Sequence, residues 1–179
     1  IGGTNMTYHS IDLTDLRPIR HQPRRVSPDR RKFIQEEIQR MLDTGFIHKS
    51  NSEYASGVVV VEKKEKEFRF CVDYRDLNQK TKKDSYPLPR IDDILDTLQG
   101  SQWFSSLDLA SGYWQVEMKP EDIQKTAFIT HHGLFEFTVM PFGLTNAPGA
   151  FQRLMDKLLH DMLWKSVVVY LDDVNIFSK

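Results

Sequence analysis

A single cysteine, Cys71, among 179 residues leaves no disulfide framework, and no Cys/His spacing has the shape of a zinc site. Long apolar runs are missing too. No stretch approaches the roughly 20 residues that a membrane span requires, and no basic-then-apolar leader opens the chain. The expectation is a soluble intracellular protein with no membrane partner. Charge of one sign is not in excess: 24 Lys and Arg stand against 25 Asp and Glu, which excludes a uniformly basic nucleic-acid binder. The signs are unevenly placed, however. Residues 1–90 hold 18 basic against 13 acidic side chains and residues 91–179 hold 6 against 12, so a cationic half precedes an acidic one. That arrangement suits a substrate held between a basic surface and an acidic one that carries a counter-charge. The length allows one sizeable core or two small subdomains. The one close histidine pair, His131-His132, reads as a turn before Gly133, because adjacent residues on an extended segment point apart.

The acids of the second half concentrate interest at Tyr170-Leu171-Asp172-Asp173, set between the β-prone runs Val167-Val168-Val169 and Val174-Asn175-Ile176-Phe177. Two carboxylates inside a strand–turn–strand pattern need counter-charge if they are buried, and a metal ion is the natural source. Asp-Asp is also ordinary hairpin-turn chemistry, and this stretch alone leaves both readings open. A second acid in a matching setting shifts the balance. Phe104 to Leu109 reads as a strand around Asp108, broken at once by Ala110-Ser111-Gly112. Strand neighbours could bring Asp108 to Asp172 and Asp173. Such carboxylates can hold a pair of divalent cations about 4 Å apart, the arrangement of phosphoryl-transfer sites, and Mg²⁺ favours a few carboxylates plus phosphate oxygens and water.

Phe104–Gln115, Val139–Gln152 and Val169–Lys179 resemble the palm motifs of reverse transcriptases, nearest in pattern to the gypsy-type LTR retrotransposons. Arg69–Asn78 and Lys82–Leu95 resemble that family's fingers and fingers–palm junction. The likeness runs in order from about His9 to the last residue. It implies an α+β fold, the fingers and palm of a right-hand polymerase with an antiparallel palm sheet backed by helices, ending before a thumb. It further implies RNA-directed DNA polymerase activity: template-directed, two-metal transfer of deoxynucleotides to a primer 3′-OH. Asp108, Asp172 and Asp173 would be the catalytic and metal-binding acids, with Mg²⁺ as cofactor and Mn²⁺ as substitute, and Asp173 ranks third because its side chain need not point the same way. Arg69 and Lys63 would clamp the triphosphate, although Lys64-Glu65-Lys66 replaces the usual turn there. Backbone N–H groups of Leu109 and Ala110 would cradle phosphate oxygens. Tyr113 occupies the steric-gate position, which excludes a ribose 2′-OH by volume, and the alternative is a core aromatic beside Trp114. Phe142 would make stacking contact in the nucleotide pocket, and Gly143, Tyr170 and Leu171 would lie near primer and template. Implied partners are an RNA or DNA template with primer, dNTPs, and further Pol segments such as protease, RNase H and integrase.

Along the chain, residues 1–26 read as an N-terminal arm or linker, residues 27–90 as fingers and residues 91–179 as palm, with some fingers strands allowed within 115–140. Starting at Ile agrees with a fragment of a polyprotein. Ser27-Pro28-Asp29 opens a helix whose apolar face is Phe33, Ile34, Ile38, Met41 and Leu42, closed by Gly45. Val58–Val61 and Phe68–Tyr74 are strand-like, with Asp73 and Arg75 an expected ion pair. Pro87-Leu88-Pro89 is stiff and extended, and Ile91, Ile94, Leu95 and Leu98 form a helical stripe. Gln115–Met118, Thr126–Thr130 and Phe135–Val139 are expected to build the sheet that carries the acids. A helix starting at Asn146-Ala147-Pro148 is expected to run through Leu163. The rival from another class is a catalytically inactive retrotransposon-derived remnant that binds nucleic acid or protein; a nuclease on the same acids is a third reading.

Overall fold

The computed structural model describes residues 3–62, 67–109 and 111–179. Lys63 and Ala110 lie outside the described residues. The first helix, α1 (Pro28–Asp43), begins as its sequence dictates: the Ser27 hydroxyl accepts from the Arg30 N–H at 3.5 Å, Pro28 occupies the first turn and Asp29 meets the positive end of the helix dipole. It stops at Gly45, whose φ of 73° is left-handed. There the N–H groups of Gly45 and Phe46 return to Leu42 and Met41, a Schellman closure.

The chain divides into two units, residues 1–82 with 113–145 and residues 83–112 with 146–179. The first contains β1 (Thr4–His9), β2 (Ile47–Lys49), β3 (Ser56–Glu62), β4 (Phe68–Asp73), α2 (Arg75–Lys80), β6 (Val116–Met118), β7 (Phe128–Thr130) and β8 (Gly133–Phe137). Five of its strands form one sheet in the order β2-β8-β7-β3-β4. Ile34, Ile38 and Met41, spaced along one face of α1, are buried with Val58, Val60, Phe128, Phe135 and Phe137 of that sheet. The second unit contains α3 (Ile91–Leu98), β5 (Trp103–Asp108), α4 (Ala147–Leu158), β9 (Val167–Tyr170) and β10 (Asp173–Ser178). Its sheet runs β5-β10-β9, antiparallel throughout, with a small core of Ile94, Val168 and Phe177 beneath it. Both units mix helices with largely antiparallel strands, an α+β architecture. Among the described residues no helix is long and apolar enough to cross a membrane.

Four expectations are corrected. The N-terminal arm is no loose linker: β1 pairs in parallel with β6, Ile11 and Ile19 are buried, and the Ile11 N–H donates to the Asp122 carboxylate at 3.0 Å. Its apolar residues are too sparse to show periodicity, and their partners lie about a hundred residues away along the chain. The strands expected to carry the acids do not do so, because β7 and β8 complete the five-stranded sheet and β6 pairs with β1. α4 ends at Leu158, not Leu163; the chain turns at Trp164, with φ of 64°, to enter β9, and Met162 is exposed. Finally, Ile91 and Leu95 of α3 face solvent, each 60% exposed, so only part of that stripe is core.

Tyr74 is not within a strand but caps α2, and the expected ion pair at this junction is present and extended. Asp73 accepts from Arg75 at 2.8 Å and from Arg24 at 2.6 Å. The Arg75 hydrogen bonds, with added attraction from Arg24, hold its carboxyl well below the usual carboxylate range. The folded chain therefore gives up this proton more readily than the unfolded chain, so the stabilisation is present above about pH 4 and is lost as pH falls further. Asp73→Asn is expected to cost about 1–2 kcal/mol at pH 7, read by urea denaturation, with the difference from the native chain shrinking as pH drops to about 2.

Candidate active site

The acid-bearing hairpin forms because the β-branched run Val167-Val168-Val169 is fully buried while the next residues turn. Leu171 takes the left-handed conformation, φ 55°, that reverses the chain. β10 lies between its two neighbours, so Asp173 stands opposite Tyr170 on one side and opposite Asp108 on the other. Directly opposed residues of an antiparallel pair leave the sheet on the same face, with Cα atoms about 5 Å apart. The fold thus brings together two acids 65 positions apart, with Asp172 at the turn beside them.

Asp172 is the electrostatic centre of this group. Its Oδ1 is buried and has no hydrogen-bond partner. Burial pushes its carboxyl above the usual carboxylate range, and the charges of Asp108 and Asp173 push in the same direction. Asp108 and Asp173 themselves are exposed, so burial within this group is confined to Asp172. β5 is an edge strand and every one of its residues meets solvent. The donors are hard carboxylate oxygens, one of them left without a protein partner, and they fit Mg²⁺ or Mn²⁺. Among the described residues no three His, Cys, Asp or Glu side chains close into a ready-made cage. The set is open, as suits a cation that keeps waters and takes phosphate oxygens from a substrate.

The backbone beside the acids corrects one assignment. The Leu109 N–H donates to the Asp172 carbonyl at 3.3 Å, extending the β5–β10 ladder, and is not free to cradle phosphate. Gly112, three residues on, is placed where no side chain fits: a Cβ there would lie 2.7 Å from Cζ of Phe151 and 3.4 Å from Oδ1 of Asp172.

The remaining predicted residues sit in the first unit or on the hairpin. Arg69 is exposed on β4 opposite Val61. Tyr113 is 7% exposed and stacks on Phe142, ring centroids 5.1 Å apart and planes 25° apart, while Phe142 itself is 47% exposed. Tyr113 is thus a packed aromatic whose stacking partner reaches solvent. Gly143, with φ 95°, is fastened by Asn78, whose amide donates to the Gly143 carbonyl at 2.8 Å and accepts from the Thr145 N–H at 2.9 Å. Tyr170 packs against Ile94, Val168 and Phe177. Sequence reasoning overlooked Gln152, Asp156 and Tyr86. The available signal was a glutamine amid the apolar face Phe151, Leu154 and Met155, a polar residue where a helix should be dry.

Comparison with known proteins follows the same lines. Residues 61–179 match the family described as reverse transcriptase (RNA-dependent DNA polymerase). The retrovirus-related Pol polyprotein from transposon 297 of Drosophila melanogaster is 42% identical over 180 aligned residues, covering 98% of this chain and 17% of the polyprotein. That from transposon gypsy of the same organism is 41% identical, covering 82% of this chain and 15% of the polyprotein. The solved foamy viral protease–reverse transcriptase in complex with RNA/DNA hybrid superimposes with a TM-score of 0.89 at 23% identity, over 100% of this chain and 24% of that one. The chain therefore spans about a sixth of the length of these curated relatives.

Proposed function

Because this chain belongs to the reverse transcriptase family of LTR retrotransposons, we propose that it carries out template-directed addition of deoxynucleotides to a primer 3′-OH. The observation that carries this reading is the meeting of Asp108 with Asp173 across β5 and β10, with the unpartnered Asp172 oxygen beside them. Asp108 and Asp172 would hold Mg²⁺, or Mn²⁺ in its place, with Asp173 completing the acidic face. A cation held there would supply the charge neutralisation and Lewis acidity that phosphoryl transfer uses. The chain's own part is positioning. Arg69 offers a planar fork to phosphate oxygens, with Lys63 assigned beside it. The Tyr113–Phe142 stack supplies a rigid aromatic wall, which discriminates against a 2′-OH by volume without any hydrogen bond. Gly143, Tyr170 and Leu171 border primer and template.

An RNA/DNA hybrid occupies the foamy viral relative, which supports a template–primer duplex as the substrate here. Similarity to a sixth of longer Pol polyproteins supports further Pol segments as covalent neighbours, with protease, RNase H and integrase the segments proposed, and the location proposed is the cytoplasm or a virus-like particle, with the nucleus as the alternative. Primer extension on an RNA template tests the proposal, using this chain and a longer chain with the flanking Pol sequence. Extension that requires both Mg²⁺ and dNTPs is the expected result. Cleavage of the hybrid without dNTPs, or binding with no extension by either chain, overturns it.

A further inference from the structure

Gln152 is fully buried in α4, and its side chain has three partners, all in the same unit. Its amide nitrogen donates to Oδ1 of Asp156 at 3.0 Å and to the Val169 carbonyl at 3.2 Å. Its oxygen accepts from the Leu171 N–H at 3.2 Å. Only this orientation of the amide serves all three, since the carboxylate and the carbonyl can only accept and the N–H can only donate. Asp156 is anchored in turn by the Tyr86 hydroxyl, which donates to Oδ2 at 2.5 Å. That hydroxyl stays protonated, pushed up to about 12 chiefly by this hydrogen bond and secondarily by burial. Arg153, paired with Asp84 at 2.6 Å, lies 4.6 Å over the Tyr86 ring and closes the arrangement.

Two of the three partners are backbone groups on either side of Tyr170, at the end of β9 and in the turn that delivers Asp172. Leu171 is in a conformation that a leucine adopts at a cost, so its N–H needs a fixed acceptor to keep the turn in place. Among the described residues the acceptor found for it is the Gln152 oxygen. We propose that Gln152 is a positioning residue for the proposed polymerase site: it acts through Leu171 and Val169 to set where the Asp172 carboxylate stands, and so the affinity of the acids for divalent cation. This rests on the metal reading given above.

Gln152→Met keeps the side-chain length and removes every amide bond. In Mn²⁺ titrations of the native chain followed by paramagnetic resonance of the free ion, this variant is expected to bind about tenfold more weakly, the size usual for a residue that orients a ligand. Amide exchange at Leu171 should accelerate by a similar factor while amides of the five-stranded sheet keep their rates. Leu154→Ala, a cavity on the same helix, serves as the control for general loosening, and it should leave Mn²⁺ affinity within about twofold. The pair Gln152→Glu with Asp156→Asn restores an acceptor for Leu171 and exchanges donor with acceptor at the helix, at unchanged net charge, but leaves the Val169 carbonyl without its donor. It should recover only the part of the affinity that depends on Leu171. A native chain with no saturable Mn²⁺ binding overturns the metal reading and this inference with it. Native binding matched by Gln152→Met, with unchanged exchange at Leu171, overturns the positioning role alone, as does an equal loss of affinity in Leu154→Ala.

Discussion

Asp172→Asn is expected to abolish the proposed nucleotide addition, lowering it by a factor on the order of 10³ or more, and at the same time to make the metal-free chain more stable wherever Asp172 would be ionised. The two effects have one origin. Asp172 is the acid whose Oδ1 is buried without a partner and whose proton is held by burial and by the charges of Asp108 and Asp173. The folded chain binds that proton more tightly than the unfolded chain does. Stability of the native protein therefore declines as pH rises from about 4 through the raised value, and above it the ionised side chain opposes folding. Asparagine removes the opposing charge, a gain of about 0.5 kcal/mol if it matches a like-charge cross-strand pair. It also removes the oxygen that a cation would take. Thermal unfolding with and without Mg²⁺ checks this: the native chain should gain stability on adding the ion, and the variant should not. Wild-type-like synthesis by Asp172→Asn would contradict the assignment outright.

Gly112→Val is expected to damage both the fold and the site. Even the first added carbon lies 2.7 Å from the Phe151 ring, which is 2% exposed in the core of its unit and has little room to retreat. Overpacking of this kind costs about 1–3 kcal/mol. The same carbon lies 3.4 Å from Oδ1 of Asp172, so a branched side chain crowds the oxygen proposed to receive the cation. Gly112→Val should lower the melting temperature by several degrees, about 2–4 °C per kcal/mol for a chain of this length, and reduce extension by about tenfold or more. Combining it with Phe151→Leu restores space against the helix but not against the carboxylate. Stability should return while activity stays low. A double variant that regains full extension would show that Gly112 matters only for packing.

Much of this site was legible before any coordinates. Asp172 and Asp173 lie at a turn between two β-prone runs, and Asp108 ends a short strand just before a breaker; both are local patterns. The Ser27 cap, the Pro28 start and the Gly45 stop of α1 were equally plain, because capping is decided within one turn of helix. The Leu109 N–H was misassigned because a ladder bond to Asp172 depends on a strand more than sixty residues away. Gln152 was passed over because its three partners come from its own helix and from a hairpin that chain order does not place beside it.

By itself, the sequence placed an acid at a strand end and two at a hairpin turn, and it determined where that hairpin turns and where α1 begins and ends, since each depends on side-chain identity and on neighbours within four positions. Only the tertiary structure decided that β7 and β8 belong with β3 and not with the acids, that β1 clasps β6, that Asp108 stands exposed on an edge strand, and that a buried amide grips the Asp172 turn. Strand pairing and the burial of one particular oxygen depend on which distant segment arrives alongside. That is set by the sum of the packing, and no short window of residues contains it.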